Sequence, residues 1–322
     1  MTKKILVLVM GLMLIAGLVL SGCAAEKYPA RDIKCIVGWA AGGGTDTNTR
    51  GICNYAQEPL GVEIFVENIK GGSSGIGAYE VMVAEPDGYT IGSFTWDAVV
   101  TVPRKDIVAG YDLDKIEWLC TFTAHPLSLT VLTDAPWQTL DDFVADAKSR
   151  PGQLKTAGAG SLGGNSHLAA LVMAKGCGIE LFYIPISGGD APMREALLGG
   201  EVEAAVITVG GALPGIESGD MRFLAIMGDE RFPLFPDVPI FRELGYDVVS
   251  ASFRAMGVPK GTPQDRVDLL VDAFDKAWHN PEYQAWVDTV GGGALWNDSA
   301  ATADYIQKIQ KAAIAVAEEF GV

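Results

Sequence analysis

The sequence predicts an α/β fold of two domains with two inter-domain crossings. Short β-like runs alternate with helical stretches over residues 33–94 and again over residues 154–207. This alternation is typical of parallel strands that are joined by crossover helices. Residues 116–132 form long β-like runs between the two blocks, and residues 251–258 form a strand that would return the chain to the first block. Two crossings of this kind make a hinge.

In the first block, hydrophobic periodicity predicts three strands and two helices. The strands cover 33–39, 62–66 and 89–94, and the helices cover 47–60 and 76–84. Residues 116–132 are predicted as two β-runs, broken by His125 and Pro126 where the chain crosses between domains.

The second block begins with a helix at Thr139, because a Thr followed three residues later by Asp142 is a helix-start pattern. Strands follow over 154–157, 181–186, 202–207 and 223–227, with helices over 165–175 and 191–198. After the return strand, residues 263–278 and 299–320 are predicted as amphipathic helices.

Residues 1–22 have the pattern of a lipoprotein signal peptide. Lys3 and Lys4 precede an uncharged apolar run over 5–20, which is shorter than the roughly 20 residues of a spanning helix. Residues 20–23 then resemble the lipobox of bacterial lipoproteins, which implies cleavage before Cys23 and its acylation. The alternative is a signal anchor with an incidental cysteine. The predicted organisation is therefore a signal peptide over 1–22, a tether over 23–27, domain 1 over 28–125 and 252–322, and domain 2 over 126–251.

Composition excludes several classes of function. The net charge is −16 and the chain has no basic run, which argues against a nucleic-acid partner because phosphates require clustered Lys and Arg. Three His and five Cys without a CxxC pair predict no metal centre and no thioredoxin-type motif. Cys35 and Cys120 lie in apolar runs and are predicted to be buried thiols, while a disulfide among Cys35, Cys53, Cys120 and Cys177 is neither excluded nor assigned.

Three glycine-rich turns, over 40–46, 158–166 and 187–190, follow predicted strands. Glycine lets the backbone approach a ligand closely, and the N-terminus of the next helix directs N–H groups and a positive dipole end at the same place. Turns from opposite domains would form an anion clamp. The alternative is that glycine serves tight βα turns, with Thr45, Asp46 and Ser166 as helix caps.

Two segments match the sequence patterns of known enzyme motifs. Residues 158–163 match the dinucleotide fingerprint, but the next strand ends at Ser187 where an acidic residue is expected. Residues 71–75 match the G-x-S-x-G motif of hydrolases, with His125, His167 or His279 as a base. The nucleophile elbow follows a fifth strand, whereas two predicted strands precede Ser73. We therefore predict no enzyme and no cofactor, with a serine hydrolase as the less favoured alternative.

The sequence resembles the substrate-binding proteins of tripartite tricarboxylate transporters, the TctC or Bug family. The matching segments run in order along the chain: 28–33, 36–37, 40–46, 66–68, 86–90, 160–168, 198–200, 218–219, 235–245 and 261–263. The resemblance implies a periplasmic-binding-protein fold of the type II-like, Venus-flytrap kind. It also implies an extracytoplasmic, monomeric receptor, tethered to a bacterial membrane by its lipid alone, that passes a small carboxylate to one large and one small permease subunit. An orphan receptor that signals to a sensor kinase is the alternative.

In the family, backbone amides and ordered waters of the first and second turns hold the ligand carboxylate. The residues implied here are Ala41, Gly42, Gly43, Gly44, Thr45, Asp46, Ser161, Asn165 and Ser166, followed by Ser93, Thr95, Gly188 and Thr208 near the same cleft. This chain departs from the family at Gly38, Trp39 and Ala41, where Pro, Phe and Pro are usual. The larger ring of Trp39 is expected to reshape the pocket.

Overall fold

The computed structural model describes residues 27–290, 292–293 and 295–322. The predicted signal peptide and the lipidation site Cys23 lie outside these residues. The strands are β1 (Ile33–Val37), β2 (Ile64–Asn68), β3 (Thr90–Thr95), β4 (Ile116–Leu132), β5 (Lys155–Ala159), β6 (Phe182–Ile186), β7 (Ala204–Thr208), β8 (Met221–Ile226) and β9 (Ala251–Pro259).

The α-helices are α1 (Gly44–Leu60), α2 (Gly75–Met82), α3 (Val102–Lys105), α4 (Leu140–Ser149), α5 (Asn165–Cys177), α6 (Asp190–Leu198), α7 (Val209–Glu217), α8 (Gln264–Trp278), α9 (Pro281–Thr289) and α10 (Ser299–Phe320). A π-helical turn, Asp97–Thr101, precedes α3, and short 3₁₀ turns cover Leu113–Lys115 and Phe241–Leu244. Within the described residues, none of the helices combines the length and the apolar character needed to traverse a bilayer.

The strands form one continuous path in the order β2-β1-β3-β9-β4-β7-β5-β6, and β8 pairs with β4. The β1 strand is parallel to β2 and β3, and β5 is parallel to β6 and β7, which confirms the parallel pairing expected in each block. The long β4 strand and the return strand β9 are antiparallel to their neighbours. We call the part built on β1–β3 and β9 lobe 1, and the part built on β5–β8 lobe 2.

The prediction of two β-runs broken at His125 and Pro126 is wrong, because β4 passes through both residues as one strand. Pro126 is the last residue of β4 that pairs with β9, and Leu127 is the first that pairs with β7. Proline donates no ladder hydrogen bond, so it is tolerated where the strand exchanges one set of partners for another. The β4 strand therefore joins the lobes directly.

Each lobe has an apolar core on both faces of its part of the sheet. In lobe 1, Cys35 packs on the face covered by α1 and α8, whereas the adjacent Ile36 packs on the face covered by α2 and α10. Successive strand residues point to opposite faces, so β1 serves both cores. The four cysteines at positions 35, 53, 120 and 177 are buried free thiols, which confirms the interpretation of Cys35 and Cys120.

Sequence patterns missed α7 and α9. The α7 helix contains three glycines and Pro214, which are poor helix formers, but Thr208 caps it by accepting a hydrogen bond from the N–H of Gly211. Asn280 caps α9 in the same way, and Pro281 occupies the first helical position.

Candidate ligand-binding cleft

The three glycine-rich turns meet between the lobes. Each turn leads from the carboxyl end of a parallel strand into the N-terminus of α1, α5 or α6. The N–H of Ala40 in the first turn donates to the carbonyl of Gly188 in the third turn over 3.0 Å. At Gly189, φ is +92°, and a Cβ there would lie 3.0 Å from the ring of Trp39. Glycine at this position therefore permits close contact between the turns.

A cavity of about 30 Å³ lies where these turns meet. This volume admits about two water-sized groups. Seven of the residues implied by the family resemblance line it: Gly43, Gly44, Thr45, Thr95, Asn165, Ser166 and Thr208. Eight lining residues were not among them: Trp39, Asp97, Leu127, Ala159, Gly189, Asp190, Ser252 and Arg254.

The implied residues Ala41, Gly42 and Asp46 are not among the residues that line the cavity. The Asp46 carboxylate accepts hydrogen bonds from the N–H of Gly42, the Nε of Arg50 and the Nδ2 of Asn68, at 2.9 to 3.0 Å. These three bonds fix the shape of the first turn, so Asp46 acts on the cavity through the backbone that it holds.

Ser93, Ser161 and Gly188 also lie outside the lining. Ser93 Oγ accepts a hydrogen bond from the hydroxyl of Thr49 at 2.9 Å, within lobe 1. Ser161 Oγ accepts one from the Ser73 hydroxyl at 3.0 Å, and Gly188 accepts the bond from Ala40. The Ser73–Ser161 and Ala40–Gly188 hydrogen bonds join the lobes beside the cavity.

Arg254 on β9 supplies a positive charge that lines the cavity. Its side chain is 1% exposed, and its Nε and Nη1 donate to no partner among the described residues. Burial lowers the pKa of its guanidinium to about 10, and the nearby Asp190 opposes that shift. This pKa leaves Arg254 charged at neutral pH, so a buried cation with free donors lines the cavity.

Asp97 and Asp190 bring two carboxylates to the same cavity from different lobes. Asp97 follows β3, and its Oδ1 accepts hydrogen bonds from Thr101 Oγ1 at 2.8 Å and from the N–H of Asn165 at 3.2 Å. Burial nevertheless raises the pKa of Asp97 to about 6. Asp190 begins α6, and its Oδ2 accepts a 2.6 Å hydrogen bond from Thr208. Burial also raises the pKa of Asp190.

A local signal for Arg254 and Asp190 was present in the sequence. Arg254 is the single charged residue of the segment 251–259, and Asp190 closes the third glycine-rich turn. No spacing relates them to Asp97, because the three residues meet through the order of the strands.

For the serine hydrolase alternative, no hydrogen bond among the described residues joins Ser73 to His125, His167 or His279, and His125 Nε2 lies 2.9 Å from Thr123 Oγ1 instead. The Ser73 hydroxyl donates to Ser161. His167 Nδ1 accepts the N–H of Gly163 at 2.8 Å, and His279 lies beside Asp275. The arrangement is that of a binding cleft.

Residues 49–322 match the family model described as "Tripartite tricarboxylate transporter family receptor". The chain belongs to this family. A UPF0065 protein encoded in the gbd 5′ region of Cupriavidus necator is 30% identical over 298 residues, which cover 92% of this chain and 90% of that protein. Membership of a receptor family confirms the prediction of a binding protein that is not an enzyme.

Solved structures of similar proteins share the fold of this receptor. The periplasmic binding protein BugD superposes with a TM-score of 0.84 at 27% identity, over 92% of this chain and 99% of that one. The R. palustris protein Rpa4515, solved with adipate, gives a TM-score of 0.86 at 25% identity, over 91% of this chain and 98% of that one. These matches confirm the predicted two-domain periplasmic-binding-protein fold.

Proposed function

We propose that this receptor captures a small carboxylate between its lobes outside the cytoplasm and delivers it to the large and small membrane subunits of a tripartite tricarboxylate transporter. Cys23 carries its lipid anchor in this proposal, and the mature domains are 28–125 with 252–322 and 126–251. The observation that carries the proposal is the buried guanidinium of Arg254, which has unpartnered donors in the cleft.

A buried charge without a hydrogen-bonded partner costs free energy, because the protein interior replaces its hydration poorly. Arg254 bears this cost, since its Nε and Nη1 have no acceptor among the described residues. A ligand carboxylate supplies both a countercharge and acceptor oxygens, and its hydrogen bonds to a guanidinium are among the strong ones in proteins. A carboxylate is thus the ligand chemistry that Arg254 fits best.

The glycine-rich turns support the same ligand chemistry. Gly43, Gly44 and Thr45 at the start of α1, and Ser166 in the first turn of α5, line the cavity beside Arg254. Helix N-termini favour anions through their free N–H groups and their dipole. The adipate in the structure of the R. palustris relative is a carboxylate of this kind.

A ligand of several carbon atoms requires the lobes to separate, because the cavity of about 30 Å³ holds about two water-sized groups. The β4 strand and the segment that enters β9 at Ala251 join the lobes, so rotation about them opens the cleft. We expect the protein to open for entry and then to close on the bound ligand around a cleft that is wider than this cavity.

Replacement of Arg254 by Met tests this function. A panel of mono-, di- and tricarboxylates is first screened by thermal shift, since a ligand at 100 times its Kd adds about 2.7 kcal/mol to the free energy of unfolding. The Kd of each hit is then measured by calorimetry for wild type, Arg254→Met and the control Arg31→Met, whose side chain is 65% exposed on lobe 1.

We expect Arg254→Met to lose roughly a hundredfold or more in affinity. Its free energy of unfolding without ligand is measured as well, because the substitution removes the cost of burying the Arg254 charge and also the attraction that Arg254 supplies to Asp190. Arg31→Met should match wild type in both measurements. Wild-type affinity in Arg254→Met, or no stabilisation of the wild type by any carboxylate, would refute the proposal.

Delivery is tested separately by uptake. Cells that lack the gene should lose uptake of the identified carboxylate and regain it with wild type but not with Arg254→Met. Undiminished uptake in the deletion strain would contradict a role in transport.

A further inference from the structure

We propose that the ligand carries a positively charged amino group as well as its carboxylate, so that the receptor takes an amino acid or a similar zwitterion. In this proposal Asp97 is the specificity-determining residue, because its carboxylate receives the amino group while Arg254 receives the ligand carboxylate. The inference rests on the proposed function and narrows its substrate class.

Asp97 has an oxygen available to a ligand. The hydroxyl of Thr101 and the N–H of Asn165 both donate to Oδ1, and no hydrogen bond from the described residues reaches Oδ2. The residue is 6% exposed, and it lines the same cavity as Arg254. A nearly buried carboxylate with an unused oxygen is therefore part of the cavity wall.

Asp97 also lacks a countercharge. Among the described residues, the charged group that acts on it is Asp190, and this interaction is repulsive. Asp190 itself receives a hydrogen bond from Thr208 and attraction from Arg254 and Arg194. The uncompensated negative charge of the cavity is therefore on Asp97.

The helix N-termini at the cleft already face protein carboxylates. The first N–H of α5, from Asn165, is used by Asp97. Asp190 begins α6, and its Oδ2 lies within 3.2 Å of the place that a Cβ on Gly44 of α1 would occupy. The N-terminus of α5 thus already has a protein carboxylate beside it, and Arg254 supplies the positively charged side chain of the lining that a ligand anion can meet.

Charge balance then selects among carboxylates. One ligand carboxylate matches Arg254, whereas a second would join two protein carboxylates, and the described residues that line the cavity include no further basic side chain. An ammonium group offsets the charge of Asp97 and donates to its Oδ2, and burial makes such a charge-assisted hydrogen bond stronger than it is in water. A zwitterion therefore fits the cavity better than a dianion does.

Ligand pairs that differ only in the amino group test the inference. Calorimetry measures Kd for L-alanine and propionate, L-aspartate and succinate, and L-glutamate and glutarate, with wild type, Asp97→Asn and the control Asp265→Asn. Asn keeps an oxygen for Thr101 and Asn165, and Asp265 is an exposed acid in the first turn of α8.

In wild type, we expect at least one amino acid to bind about tenfold or more tightly than its partner without the amino group. Asp97→Asn should bring that ratio close to one, and Asp265→Asn should leave it unchanged.

Equal or tighter binding of the acids without the amino group would overturn the inference and leave the proposed function intact. If Asp97→Asn keeps the wild-type ratio, the assignment of the amino-group site to Asp97 is wrong. If none of the six compounds binds, both this inference and the proposed capture of a small carboxylate are overturned.

Discussion

Asn165 and Asp97 join the two lobes directly, because the main-chain N–H of Asn165 at the start of α5 donates to Asp97 Oδ1 over 3.2 Å. Asp97 is held on lobe 1 by Thr101, so the bond ties the N-terminus of a lobe 2 helix to a carboxylate of lobe 1. The same carboxylate lines the cavity. Closure of the lobes therefore also assembles the part of the binding site that contains Asp97.

Asp97 should make the stability of the protein depend on pH. Its folded pKa of about 6 lies above the ordinary carboxyl value, so between about pH 4 and 6 the folded state keeps a proton that the unfolded chain has released. The folded state then binds more protons, and the contribution of Asp97 to stability falls as the pH rises through this window.

Asp97→Asn removes this titration. Relative to wild type, its free energy of unfolding should increase by up to about 3 kcal/mol from pH 4 to pH 6 and stay level above about pH 7. Urea denaturation of both proteins across pH 4 to 7.5 measures the difference. A difference that does not vary with pH would show that the pKa of Asp97 is ordinary.

Gly44 and Gly43 form a matched pair for testing the first turn. A Cβ on Gly44 would lie 3.2 to 3.3 Å from Asp190 Oδ2, Thr208 Oγ1 and a guanidinium nitrogen of Arg254, whereas the nearest atom to a Cβ on Gly43 is 3.5 Å away. Gly44→Ala should therefore hinder closure over the ligand and weaken binding by about tenfold or more. Its unliganded stability should not fall, because alanine favours the helix over glycine.

Gly43→Ala is the comparison and should lose less affinity than Gly44→Ala, since the new contacts that its Cβ makes with the protein are of ordinary van der Waals length. Calorimetry and urea denaturation of both variants give the two quantities. Equal affinities for the two variants would contradict a close approach of the lobes at Gly44.

The hydrogen bond between Ser73 and Ser161 should favour the closed arrangement, because it joins the lobes beside the cavity. Ser73→Ala removes one hydrogen bond that we expect to be made only on closure, and should weaken ligand binding by about three- to tenfold. Ser149→Ala, which loses an exposed bond within α4, should bind like wild type. Small-angle scattering at a fixed ligand concentration checks the cause: a larger radius of gyration is expected for Ser73→Ala, and superimposable profiles would count against it.

Cys23 should carry the membrane anchor. Cys23→Ala expressed in a bacterial host should lose lipid labelling and leave the detergent phase on Triton X-114 partitioning, because the acyl chains have no attachment site. Cys53→Ala, at a buried thiol, is the matched control and should partition like wild type. Equal partitioning of Cys23→Ala and wild type would exclude the lipoprotein assignment.

The glycine-rich turns were accessible from the sequence because their signal is local. Each is a short run that follows an apolar strand, and Gly43, Gly44, Asn165 and Ser166 all line the cavity that these turns build. The parallel pairing within each block also followed from the alternation of strands and helices.

The charged residues of the cleft could not be predicted from a local sequence pattern in the same way. Arg254, Asp97 and Asp190 are remote in sequence and meet because β9 lies between β3 and β4 and because the lobes contact one another. Strand order is a long-range property that periodicity does not encode. The continuity of β4 through Pro126 escaped prediction for a related reason, since it depends on a change of pairing partners.

The most direct test of the role of Arg254 is a crystal structure of the protein with the tightest ligand from the carboxylate and amino acid screens. We expect the lobes closed, with a ligand carboxylate oxygen about 2.7–2.9 Å from a guanidinium nitrogen of Arg254. A ligand carboxylate held by the turn amides alone, with Arg254 making no contact to it, would contradict the role assigned to this residue.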